Sequence, residues 1–150
     1  MCNLLPTLRE CAISFFLLLN ACTTQTPAQG NEPMNDNPVL QGTSWWVEDI
    51  AGKGVIDMSH TTIDFTEDGK LAGDTGCNRY FGSYELVGKT IKVGPLAGTR
   101  KACAESLMNQ EMAFYQAMEK VSHWEIAETG LLHLRDPEET SLIRASKVDQ

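Results

Sequence analysis

The sequence predicts an α+β fold: a curved antiparallel sheet or partial β-barrel of about seven to eight short strands, packed on one α-helix. Three observations predict it. From Leu40 onward, apolar residues recur mostly at every second position, the period of a half-buried strand. Turn signals such as Asp68-Gly69, Gly88-Lys89 and Thr129-Gly130 punctuate these runs. One segment alone, Ala104 to Val121, abandons the period of two; it lacks Gly and Pro and is rich in good helix formers.

The elements follow in order. Ser44 to Ile50 carries Trp45 and Val47 on one face, and Thr61 to Thr66 places Ile63 and Phe65 together. Asp68-Gly69 then turns the chain into a short return strand, Lys70 to Gly73. Gly82 to Val87 aligns Tyr84 with Leu86, and Thr90 to Gly94 aligns Ile91 with Val93. Pro95 to Gly98 reads as a break. In the helical segment, Leu107, Met108, Met112, Phe114, Tyr115, Met118 and Val121 fall on one broad arc that reads as core. Glu111 interrupts that arc. A carboxylate there is costly unless paired, with Arg79 and Arg100 as candidate partners, or unless a wetted gap lets it reach solvent. Three strands complete the domain: Ser122 to Ala127, Leu131 to Arg135 and Ser141 to Ala145. A single helix can cover one mouth of such a sheet and hide its edges.

The 150 residues fit one domain, and an apolar fraction of 42% permits a core. Twelve basic against twenty acidic residues leave a net charge of −8. No basic stripe is available to displace counterions, so nucleic acid is not an expected partner. Residues Cys11 to Leu19 are almost wholly apolar but too few to span a bilayer, and they have the length of a signal-peptide core; the competing reading is a buried helix at the N-terminus of a cytosolic domain. Leu19-Asn20-Ala21-Cys22 resembles the bacterial lipobox, in which the cysteine is acylated. Thr23 to Pro38 offers almost nothing to bury and reads as a disordered tether. The expected organisation is therefore a lipoprotein signal peptide over 1–21, an anchor cysteine and tether over 22–38, a folded domain over 39–146 and a tail over 147–150. The membrane partner is the bilayer that receives the lipid on Cys22, and Thr23 after the cysteine resembles an outer-membrane sorting signal. The expected location is thus the bacterial cell envelope, at the outer membrane facing the periplasm.

Within the body, Gly42-Thr43-Ser44-Trp45, Asp68-Gly69, GCNRYFGSYEL from Gly76, VGPLAGTRKAC from Val93 and Glu111 with Phe114 occur in succession. This text resembles the META-domain, or HslJ-like, family of bacterial envelope proteins, across Val39 to Ala145. Lys101 stands where the family commonly has Met. The resemblance implies a small curved β structure wrapped around a helix and an association with stress tolerance, envelope integrity or virulence. It brings no established reaction. The motif positions it marks are Cys77, Asn78, Arg79, Thr99, Arg100, Cys103 and Glu111, in structural or binding roles.

Chemistry at Cys77 needs a base, and the histidines, His60, His123 and His133, are remote from it in sequence. No Cys/His cluster has zinc spacing, and no cofactor or metal is expected. In an oxidising compartment Cys77 and Cys103 are the two body cysteines available for a disulfide, and the competing reading is a pair of buried thiols. The expected function is non-enzymatic: a lipid-anchored module that binds an envelope protein or component through its concave face or an open edge. The alternatives are a cysteine-dependent enzyme using Cys77, and a carrier of small apolar ligands in the barrel.

Overall fold

The computed structural model describes residues 39–149; the expected signal segment, Cys22 and the tether lie outside the described residues. Ten strands and one helix follow in chain order: β1 (Thr43–Ile50), β2 (Lys53–Gly54), β3 (Thr62–Phe65), β4 (Lys70–Asp74), β5 (Arg79–Val87), β6 (Thr90–Val93), β7 (Ala97–Gly98), α1 (Glu105–Met118), β8 (His123–Ile126), β9 (Leu132–Arg135) and β10 (Ser141–Lys147). Eight of the strands form an antiparallel ring in the order β1-β3-β4-β5-β6-β8-β9-β10, and β10 returns to pair with β1. The sheet is therefore closed into a barrel. β2 and β7 lie off the ring, beside β1 and β5.

Eight strands enclose a space that side chains can fill. The period of two delivers them: Trp45, Ile63, Phe65, Leu71, Ile91 and Leu134 are almost wholly buried. Bulges adjust the phase. β1 buries Trp45 and Val47 but then Ile50, because its register with β10 shifts between Val47 and Asp49. β10 buries both Leu142 and Ile143 across a similar shift against β9. Lys147 pairs with Trp45 and the Val148 amide donates to the Ser44 carbonyl, so the ordered fold continues past residue 146, where the domain was expected to end.

One seam of the ring is thin. β6 and β8 share a single register pair, Thr90 with His123. It is reinforced by the Trp124 indole, which donates to the Gly88 carbonyl at 3.0 Å, and by the Lys89 ammonium 4.1 Å above the same ring. The helix enters the chain between β7 and β8 and buries Phe114, Ala117 and Met118. Its buried arc is narrower than the sequence suggests. Met108 and Met112 are exposed, because at about 100° per residue they lie well away from the azimuth of Phe114. No helix among the described residues is long and apolar enough to cross a membrane.

Candidate functional site

The residues of the two motifs meet at the N-terminal half of α1. The link from β4 to β5 is the tight segment Thr75-Gly76-Cys77-Asn78. The Thr75 amide donates to the Asn78 carbonyl at 2.9 Å, and the Asn78 amide donates to the Thr75 hydroxyl at 3.0 Å. Gly76 takes a left-handed φ of +88°, and a Cβ there would stand 2.6 Å from the Ser59 carbonyl oxygen. Only glycine meets both conditions. Cys77 is joined to Cys103 across 26 residues of chain.

Asn78 is the hub. It is 3% exposed, and every polar side-chain atom is engaged. Its Oδ1 accepts from the Thr99 hydroxyl and from the Lys101 amide, both at 2.7 Å. Its Nδ2 donates to the Glu111 carboxylate at 3.1 Å and to the Lys101 carbonyl at 3.3 Å. The Thr75 hydroxyl also donates to Glu111. Thus Asn78 fastens the strand segment, the β7–α1 connection and the helix in one place. Burying such a group without partners would cost several kcal/mol, and satisfying all of them fixes the register of three elements.

Glu111 is held differently from the sequence expectation. Arg79 and Arg100 are exposed and, among the described residues, neither forms an ion pair. The partners of Glu111 are a neutral amide and a hydroxyl. The cations point out because they flank the motif in strand and loop: Arg79 alternates with buried Asn78 and Tyr80, and only its backbone joins the knot, through the Thr99 amide and hydroxyl.

A second layer was not legible from the motifs. Gln110, beside Glu111, donates from Nε2 to the hydroxyls of Ser59 and Thr61 at 3.1 and 3.0 Å, and its Oε1 accepts from the Ile56 amide at 2.7 Å. The signal available was position: Gln110 lies one helical turn before buried Phe114. Ser59 is turned inward between Met58 and His60, both in the left-handed region at φ +59° and +50°. Such strain persists only where the surroundings hold it, and here Gln110 does so.

Outside this knot runs a groove of about 710 Å³. One wall is the continuous segment Val93 to Arg100; the other is the helix stripe Glu111, Tyr115 and Glu119. The Tyr115 hydroxyl lies over Gly98, where an added Cβ would come within 2.5 Å of it. Burial first, and then the Glu111 carboxylate, push the Tyr115 phenol above its ordinary pKa. Glu111 therefore belongs to both features: knot behind, groove in front. Among the described residues no group of three or more His, Cys, Asp or Glu gathers as a metal site would require.

A family model described as the META domain matches residues 38–149. No curated protein matches the chain. Among solved structures, the chain is similar to a Burkholderia xenovorans protein solved by NMR, with a TM-score of 0.59 and 22% identity, covering 74% of this chain and 85% of that one. It is also similar to a DUF4847 family protein from Bacteroides vulgatus, with a TM-score of 0.58 and 14% identity, covering 75% and 96%. At such identities the likeness is one of fold.

Proposed function

This chain belongs to the META domain family, and from that premise we propose that it is a non-enzymatic binding module of the bacterial cell envelope, anchored by a lipid on Cys22 at the outer membrane and facing the periplasm. Its binding surface is the groove between Val93–Arg100 and α1, and its ligand is an envelope protein or component. The groove itself carries the reading: it is a concavity of about 710 Å³ with mixed polar and apolar lining, within the range of binding sites. The motif residues support a structural role for the knot. Cys77 is taken up in the disulfide, and Asn78, Thr99 and Glu111 bond to one another or to backbone. The barrel interior is filled by side chains, so the concave face of the sheet gives way to the groove outside it.

The test places a photo-crosslinking residue at Leu96, in the groove, or at Val87, exposed on the β5–β6 hairpin, in the full chain in intact cells. The reading expects a discrete, saturable adduct from position 96 and none from 87. Absence of an adduct at 96, or the same adducts from both positions, overturns it. For the anchor, Cys22→Ala should move the protein from the membrane to the soluble fraction. A variant that stays with the membrane would refute the lipid.

A further inference from the structure

Resting on that reading of the groove, we propose that its ligand is an extended, basic polypeptide segment that adds to the β6–β7 edge as a further strand. The edge is open on the groove side. The Ile91 amide, facing β8, donates to the Ser122 carbonyl at 2.9 Å. Strand alternation turns the N–H and C=O of Val93 the same way, but the register with β8 has already ended at Thr90. The intervening Gly94 amide turns back to the Ser83 carbonyl of β5. In β7 the Thr99 amide donates to Arg79 of β5, which turns the backbone groups of Gly98 away from β5. Val93 and Gly98 thus present main-chain donors and acceptors along one wall of the groove, with no partner among the described residues. Pro95 between them removes one donor without closing the edge. Unpaired strand groups of this kind are a template for an added strand.

The opposite wall specifies the side chains. Glu111, Tyr115 and Glu119 recur every four residues on α1 and its C-cap, so the two carboxylates lie about 12 Å apart along the helix. In an extended strand, residues four apart on one face are separated by about 13 Å, with a third residue midway. The groove lining sets one cation, Arg100, against these two carboxylates, so the stripe complements a basic residue, an apolar residue and a second basic residue at alternate positions. Glu111 retains acceptor capacity beyond its bonds to Asn78 and Thr75, because an ionised carboxylate offers about four lone-pair sites. A second copy of the chain is disfavoured as occupant, since each carries a net charge of −8.

The test uses the full chain in zwitterionic detergent and a blocked heptapeptide, Thr-Lys-Thr-Leu-Thr-Lys-Thr. Three companions are needed: a version with Glu in place of Lys, and two versions N-methylated at alternate backbone amides in opposite phases. At saturation with the Lys peptide, hydrogen exchange at the Val93 and Gly98 amides should slow by about tenfold or more. The Glu peptide should not bind, one methylation phase alone should abolish binding, and Glu119→Gln should weaken it about two- to fivefold. Unchanged exchange at Val93 and Gly98, equal binding by both methylated phases, or equal binding by the Glu peptide overturns the proposal. If any of these occurs while the Leu96 adduct persists in cells, strand addition fails alone. If the adduct is also absent, the groove itself has been misassigned.

Discussion

Replacing both Cys77 and Cys103 by Ala should lower stability by about 3.5 kcal/mol. The two residues close a loop of 26 residues in sequence, and removing that constraint returns loop entropy to the unfolded chain, about 12 cal/mol/K in the chain-entropy relation. The folded state loses little, because Asn78 still bonds Thr99 and both backbone groups of Lys101. For a domain of about 110 residues the entropy of unfolding near the midpoint is about 0.23 kcal/mol/K, so the melting temperature should fall by about 15 °C. Thermal and urea melts of the full chain, oxidised, reduced and doubly substituted, would measure this. The reduced protein and the double variant should coincide. A double variant that melts within about 3 °C of the oxidised protein would refute the reasoning, since the loop would then contribute almost none of its expected entropy.

Three further outcomes follow from the knot and the core. Asn78→Ala leaves Glu111 and the Lys101 amide short of partners and should cost about 3 kcal/mol, read as a lower urea midpoint with unchanged slope. Gly76→Ala should cost more than Gly130→Ala. Both glycines have positive φ, at +88° and +83°, but only at Gly76 does the new Cβ meet a carbonyl at 2.6 Å; equal melting temperatures for the two variants would exclude the clash. Burial raises the Tyr80 phenol well above its ordinary pKa, so the folded chain holds that proton more tightly than the unfolded one. The associated stability is complete below pH of about 10 and is lost as pH rises beyond it, with Tyr84 and Tyr115 shifted in the same direction. Tyr80→Phe should flatten that alkaline limb in urea midpoints measured from neutral to strongly alkaline pH. At neutral pH it should cost about 1 kcal/mol through loss of the bond to the Thr62 carbonyl.

Much of the architecture was legible because a period of two leaves a strong mark. Trp45 and Val47, Ile63 and Phe65, and Leu132 and Leu134 each announce an inward face, and the same residues are buried. What periodicity cannot mark is pairing at a distance. Closure of β10 on β1 joins residues whose own sequences carry no sign of each other, so a partial barrel was all the chain could suggest. β7 is two residues beside Pro95 and looks like a break; its strand character comes from β5 alone. Arg79, Tyr80 and Phe81 of β5 were likewise missed as strand, because Gly82 reads as the start of the run. The site shows the same division. Cys77, Asn78, Thr99, Cys103 and Glu111 could be named from the text, and the structure brings them together. Cys77 and Cys103 could also be paired from the text, but the partners of Asn78, Thr99 and Glu111 could not. Charge arithmetic pointed Glu111 towards arginines, whereas the geometry gives it Asn78 and Thr75.

The ring is completed by its first and last strands, with Val47 opposite Ala145, about a hundred residues away along the chain. A polypeptide released from its N-terminus first must therefore wait until its final strand emerges before β1 can find that neighbour. Until then β1 keeps one flank unsatisfied and the core beneath it wet. Such topology folds slowly and makes the last few residues indispensable, however ordinary their composition. Trimming the chain within β10 would then remove far more than a tail: the newly made protein would linger as an open, sticky sheet.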